Sequence, residues 1–202
     1  MCGRFQIDTN KEEIEKHYGM ELGSAFKSRY NAAPSQEIPV VTDDKIEFKK
    51  WDLPLKFGDK FIRNLANIRD DSLRKGWAKR FLGQRCLVPS TGYYEWKTTA
   101  DGKVPYYFGL KKHRLFSFAG LYDGDTFALI TTTASKQTSS VHNRMPVILS
   151  ESDEKLWVNA DNDFEQEKSL VSPFEGELEI YPISTKINNA RLDVSDVVER
   201  VS

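Results

Sequence analysis

Residues 85–132 read RCLVPSTGYYEWKTTADGKVPYYFGLKKHRLFSFAGLYDGDTFALITT, and this stretch decides the fold class. Strand-like runs recur at 85–89, 92–97, 104–110, 115–121 and 126–132. Their aromatic and β-branched side chains suit a pleated, half-buried surface. Asp101-Gly102 and Asp123-Gly124 lie between runs, where a tight hairpin turn needs residues that tolerate positive φ. Five strands in such close succession make the core β-rich.

Working outward, 37–41 and 45–51 also alternate or carry β-branched residues and are expected as strands, followed by a loop holding Pro54 and Gly58. A helix over 10–18 is expected because Thr9 and Glu12 have capping-box spacing and Gly19 stands as a stop. Leu73, Trp77 and Phe81 recur every four residues ahead of Gly83, the apolar stripe of a helix over 71–82. Further helices are expected near 152–159 and 163–171, then a last strand at 177–183 before an Asn188-Asn189 tail. The sum is a mixed α/β chain without the regular strand-helix alternation of a doubly wound sheet. Its 202 residues suit one domain spanning 1–202.

Composition narrows the function. At 39% hydrophobic and 12% aromatic residues the chain can close a core. No run approaches the roughly 20 apolar residues of a membrane span. Met1-Cys2-Gly3-Arg4-Phe5-Gln6 leads into charge instead of a signal-peptide core, so a cytoplasmic protein is expected. Two cysteines, Cys2 and Cys86, make no disulfide framework. His17, His113 and His142 lack metal-ligand spacing, so neither metal nor cofactor is expected. The net charge of -1 hides an asymmetry: residues 45–114 hold 17 Lys and Arg against 7 Asp and Glu, and the rest hold 12 against 23. A basic face set against an acidic remainder would steer a polyanion to one side.

Cys2 is the most informative position. Removal of Met1 would leave an amine and a thiol on adjacent carbons. An α-amine titrates near about 7.7–8.0, against about 10.4 for lysine, so a usable fraction is neutral at cellular pH. A neutral amine attacks an aldehyde to give a Schiff base, and the thiol can then close a five-membered thiazolidine. No internal cysteine can do this, its nitrogen being tied up in a peptide bond. Arg4 places a phosphate-binding group close by.

Other candidates have plainer readings when taken singly. Glu95, in Gly92-Tyr93-Tyr94-Glu95-Trp96, would have aromatic rings on the opposite strand face, and a carboxyl in such surroundings can transfer protons; an edge-strand Glu facing solvent is the ordinary alternative. His142 is suited to exchange protons near neutrality or to lie on the surface. Asn67 could donate its amide to a carbonyl or hydroxyl, with Arg69 on the same face of an extended segment, or could be a turn residue. Trp51 and Trp96 could stack on bases or pack in the core.

Together these residues resemble the SOS response-associated peptidase (SRAP) family. The resemblance is carried by Met1-Cys2-Gly3-Arg4-Phe5, Arg29-Tyr30-Asn31-Ala32-Ala33-Pro34, Asn67-Ile68-Arg69, Arg85-Cys86-Leu87-Val88-Pro89, Gly92-Tyr93-Tyr94-Glu95-Trp96 and the run from His142 to Leu149. It implies a β-barrel-like fold with peripheral helices that binds abasic single-stranded DNA. Cys2 would be the nucleophile, with Asn67, Glu95 and His142 around it. Arg4, Arg69 and Arg144 would hold phosphates, and Pro34, Trp51 and Trp96 would shape the DNA path. It also implies Schiff-base chemistry that leaves a covalent protein-DNA link in the DNA damage (SOS) response. Met1 would be removed by the chain itself, although a methionine aminopeptidase would serve equally well. A monomer is expected, with no membrane partner. Two departures from the family pattern are acidic: Asp52, after Trp51, and Asp70-Asp71, after Arg69. A thiol peptidase using Cys2 with His142 as base and a non-catalytic single-strand binding module are the competing readings.

Overall fold

The computed structural model describes residues 2–111, 115–159, 164 and 168–201. In chain order its strands begin with β1 (Phe5–Ile7), β2 (Arg29–Ala32), β3 (Glu37–Val41), β4 (Ile46–Trp51), β5 (Leu53–Phe57), β6 (Lys60–Leu65) and β7 (Asn67–Arg69). There follow β8 (Arg85–Ser90), β9 (Gly92–Thr99), β10 (Gly102–Leu110), β11 (Phe116–Asp123), β12 (Thr126–Thr133), β13 (Arg144–Pro146), β14 (Ile148–Leu149) and β15 (Leu178–Pro182). Helices α1 (Lys11–Tyr18), α2 (Gly76–Lys79) and α3 (Glu151–Val158) accompany them.

Five strands close on themselves. β12 pairs with β4, β4 with β3, β3 with β8, β8 with β11, and β11 with β12 again. The ring is the expected barrel, and closure removes the unpaired edges that an open sheet would present. It is filled by rings: Phe5 lies 4.9 Å from Trp51, and Trp51 stacks on Phe127 at 6.2 Å. At Gly120 a methyl group would come within 2.9 Å of the Cys86 sulfur, so the two positions share one side chain's space. β7 and β13 extend the ring along β12.

A second sheet runs β15-β10-β9-β1-β2. Its inner face adds Phe5, Tyr93 and Phe108 to the main core. Its outer face is covered by a smaller core in which Tyr94 packs with Ile183, Ile187 and Val197. Both sides of β9 are thereby fixed, and β9 carries Glu95. Gly92 opens β9 because the Tyr107 ring lies across it, within 2.3 Å of where a methyl would sit.

Several expectations need correction. The stretch 71–82 is not one helix. Asp70–Ser72 is a 3-10 turn and α2 is a single turn with no side-chain cap at Lys75. Leu73 and Phe81 are buried, so the four-residue spacing reports burial, while Gly76 inside the stretch disfavours continuous helix. The loop holding Pro54 and Gly58 is a hairpin of β5 and β6, turning at Gly58 with φ +57. α1 is capped by Asn10, whose side chain accepts from the Glu13 amide at 2.8 Å; Thr9 bonds the Glu13 carboxylate instead. The Asn188-Asn189 segment lies among 3-10 turns, Thr185–Asn188 and Ser195–Val198. Of the helix expected at 163–171, Phe164 is helical and Lys168–Leu170 is a 3-10 turn; residues 160–163 and 165–167, like His113 and Met1, lie outside the described residues. Among the described residues no helix is long and apolar enough to cross a membrane.

Candidate functional site

Pairing brings the chain's start to Glu95. β1 runs antiparallel to β9, with Phe5 opposite Tyr93, and the Tyr94 amide donates to the Arg4 carbonyl at 3.1 Å. Continued by two residues, that register sets Gly3 against Glu95 and brings Cys2 alongside. The aromatic neighbours of Glu95 face the other way as expected: Tyr94 and Trp96 belong to the smaller outer core. Asn67 arrives on β7, held parallel to β12 with Asn67 opposite Leu129. His142 arrives on the turn before β13, which pairs with the same strand. One central strand therefore positions both.

Cys2, Asn67, Glu95 and His142 come together. The Asn67 side-chain amide donates to the Cys2 carbonyl at 2.8 Å. Its Oδ1 is buried and makes no hydrogen bond among the described residues, which leaves an acceptor for an incoming donor. The Cys2 side chain is fully buried, its sulfur 3.6 Å from the Arg4 carbonyl. Burial first, and the nearby Glu95 carboxylate second, push its thiol well above the usual cysteine range. Burial likewise raises the Tyr93 phenol, with Cys2 and Glu95 adding to the shift.

Glu95 is only 4% exposed, and its Oε1 stands 3.9 Å from Nδ1 of His142. That nitrogen lies 3.1 Å from the Arg144 amide and 3.2 Å from the Arg144 carbonyl. Unprotonated, Nδ1 accepts from the amide; protonated, it donates to the carbonyl. The ring can therefore gain or lose a proton without losing its anchor, which suits a proton-transfer group.

A cleft of about 470 Å³ opens over this pair, lined by Glu95, Trp96, Lys103, His142 and Asn188. Trp96 is half-buried, and its indole N–H donates to Asn188 Oδ1 at 2.7 Å. Lys103 and Asn188 escaped the sequence reading. A signal for Lys103 existed: the Asp101-Gly102 turn sets it opposite Thr98, which makes it a diagonal neighbour of Trp96 on one face. Asn188 had none, since its 3-10 turn read as a tail.

The remaining candidates divide. Trp51 is fully buried between Phe5 and Phe127, with its N–H donating to the Ala66 carbonyl at 2.7 Å. It cannot stack on a base, and that reading is corrected to core packing. Pro34 is exposed and precedes Ser35, which takes the left-handed φ of 72. Arg4 is half-buried and donates to Asn31 Oδ1 and the Ile187 carbonyl, each at 2.9 Å. Arg69 is exposed and grips Asp71 through two nitrogens, one at 2.7 Å. Arg144 is buried, 2.9 Å from Asp70 and bonded to the Thr131 carbonyl. Of the three acids that departed from the family pattern, Asp70 and Asp71 thus pair with two of the three arginines. Asp52 accepts from Asn64 at 2.9 Å and Ser35 at 3.1 Å, which fixes it at the base of the β5–β6 hairpin. Among the described residues no cluster of three or more His, Cys, Asp or Glu could hold a metal ion.

Comparison with known proteins speaks to the family and the fold. The family described as SOS response associated peptidase (SRAP) matches residues 1–190. An abasic site processing protein of Bacillus subtilis, YoqW, is 30% identical over 98% of this chain and 99% of its own length. The Gallus gallus abasic site processing protein HMCES is 32% identical over 85% of this chain and 66% of its own. A crystal structure of a Bacteroides thetaiotaomicron protein shares the fold across the whole of both chains, with a TM-score of 0.85 at 24% identity.

Proposed function

The chain belongs to the SOS response associated peptidase (SRAP) family, and from that premise we propose that it processes abasic sites in single-stranded DNA, capturing them covalently through Cys2 once Met1 is removed. The observation that carries this reading is the Asn67 amide on the Cys2 carbonyl at 2.8 Å. It clamps the one residue able to become a 1,2-aminothiol beside a buried carboxyl and a histidine.

In the proposed reaction Glu95 and His142 move the protons that open the sugar hemiacetal to its aldehyde. The Cys2 amine adds to C1′ and water leaves, giving the Schiff base. The thiol sulfur then adds to the same carbon, and its proton passes to the nitrogen, closing the thiazolidine. Asn67 is a positioning residue that holds Cys2 for attack. The same cysteine, held beside the same proton-transfer pair, is the point at which Met1 would be cut away. The thiol peptidase alternative requires a thiolate, whereas burial and Glu95 keep this thiol protonated. Arg4, Arg69, Arg144 and Lys103 would contact phosphates, giving affinity that weakens with salt.

Intact mass spectrometry before and after incubation with an abasic oligonucleotide tests the reading. The expected protein lacks Met1, and the expected adduct weighs the sum of protein and DNA less one water. Cys2→Ser keeps the amine and loses the ring, so its link should be retained only after borohydride reduction. A stable adduct that persists in Cys2→Ala would refute the scheme.

A further inference from the structure

Packing accounts for the ring of Tyr93 but not for its oxygen. The ring stacks on Phe108 of β10 at 4.7 Å and meets Phe118 edge-on at 6.0 Å, with Phe5 of β1 opposite it in register. Phenylalanine would make every one of those contacts. The hydroxyl is buried, and among the described residues it has no hydrogen-bond partner. Tyr94 and Tyr18, by contrast, are satisfied: the first donates to the Tyr30 carbonyl at 2.7 Å, and the second shares a hydrogen bond with the Ser117 hydroxyl at 2.8 Å. A buried polar atom without a partner costs stability, so the Tyr93 oxygen calls for a reason outside the packing.

Its surroundings supply one. Alternation puts Tyr93 on the same face of β9 as Glu95, and Cys2 packs in the same core as Tyr93. Burial and the neighbouring Cys2 and Glu95 hold the proton on the phenol oxygen. Asn67 Oδ1, on the side chain whose amide grips the Cys2 carbonyl, is buried and equally without a partner among the described residues. The Cys2 S–H faces the Arg4 carbonyl, 3.6 Å from the sulfur. That contact uses the thiol hydrogen and not the sulfur lone pairs.

We infer that Tyr93 is the hydrogen-bond donor that serves the Cys2 sulfur when the thiazolidine closes. This rests on covalent capture by Cys2, as proposed above, and adds a residue to it. In the closing step the S–H proton moves to the imine nitrogen, a sulfur electron pair forms the C–S bond, and the C=N π pair becomes the nitrogen lone pair. Between those events the sulfur carries negative charge in a buried site, where charge is costly. The phenol O–H meets that charge as the sulfur leaves the Arg4 carbonyl for the imine carbon. It keeps its own proton throughout, so it acts as a fixed dipole and not as an acid. Stacking on Phe108 sets the ring before the reaction, which spares the step that reorganisation.

The test is Tyr93→Phe in single-turnover capture of an abasic strand, each time point quenched with and without borohydride. Borohydride preserves the imine as well as the ring; without it only the closed ring survives denaturation. In the wild-type protein the two signals should rise together. In Tyr93→Phe the total link should form at the wild-type rate while the borohydride-independent link lags, its rate down about 10-fold, the lower end for a hydrogen bond to a charged group. The rising limb of the closure rate should also move to higher pH, since the thiolate has lost a donor. The urea midpoint should hold or increase, because a buried oxygen without a partner is removed. A borohydride-independent link that forms at the wild-type rate in Tyr93→Phe overturns the proposal. So does a lower urea midpoint with both signals slowed in proportion, which would assign the hydroxyl to the fold. No link in the wild-type protein, with or without borohydride, overturns capture by Cys2 itself, whereas normal closure in Tyr93→Phe removes Tyr93 alone and leaves that reading standing.

Discussion

Asn67→Ala is the substitution that most directly tests how Cys2 is held. The structure gives the bond removed, from Nδ2 to the Cys2 carbonyl at 2.8 Å, and sets the residue it anchors in a fully buried position. A neutral hydrogen bond contributes about 0.5–1.5 kcal/mol net, while a buried carbonyl left without a donor costs about 1–3 kcal/mol. If that loss falls on the transition state, at a tenfold change per 1.36 kcal/mol, the rate of covalent capture should fall about 5- to 150-fold. Asn67→Asp should be worse, because it turns a carboxylate oxygen toward a carbonyl oxygen. The assay is single-turnover cross-linking to an abasic strand on denaturing gels, with circular dichroism for the fold and anisotropy for non-covalent binding. Binding should stay within about twofold while the capture rate drops. A rate equal to wild type, or one that falls only as the folded fraction falls, would show that Asn67 does not position the nucleophile.

Trp51→Ala should destabilise the fold by about 3–5 kcal/mol, read as a lower urea midpoint, since it empties a site between Phe5 and Phe127; a merely weaker DNA affinity at full stability would contradict its assignment to the core. Asp71→Asn should tighten DNA binding and steepen its salt dependence, because it frees an exposed Arg69 from its partner; unaltered affinity would remove Arg69 from the phosphate path. His17 Nε2 donates to the Glu154 carboxylate at 2.9 Å, and that hydrogen bond raises its affinity for a proton in the folded state. The stability it contributes should be complete below the unfolded pKa of about 6.5 and fade as pH rises through the higher folded value. Thermal melts of His17→Gln should lack that slope.

The β core was legible because aromatic and β-branched runs at turn-separated intervals leave few alternatives to strands, and the face of Glu95 followed from alternation alone. The helix expected over 71–82 failed because spacing every four residues records burial of Leu73 and Phe81, which two separate turns achieve as well as one helix. Pro54 and Gly58 read as breakers, yet Pro54 lies in a two-stranded sheet and Gly58 makes its turn. Trp51 could not be assigned from sequence, since an indole has the same pattern on a barrel wall as beside a groove. The arginine pairs show where locality ends. Asp71 is two residues from Arg69 and its pairing could have been anticipated, but Asp70 meets Arg144 across 74 positions, a contact only the barrel creates.

Those pairs, with the buried thiol, bear on the order of events in the proposed reaction. A cysteine with a raised thiol pKa is a poor first nucleophile, and burial together with Glu95 raises it here. α-Amines in general titrate at about 7.7–8.0, so in the proposed scheme the amine freed by loss of Met1 attacks first and the thiol adds only after an electrophilic imine is fixed beside it. A protonated thiol then serves the last step, because addition to the imine needs a proton for the nitrogen and the S–H supplies it. The arginines work on the same principle of restraint. Arg69 and Arg144 are paired with Asp71 and Asp70; in the proposed scheme a phosphate would have to displace each carboxylate, which would lower affinity for any polyanion that cannot also fill the cleft over Glu95 and His142. Under that proposal tight retention would be left to the covalent step and reserved for strands that carry an aldehyde.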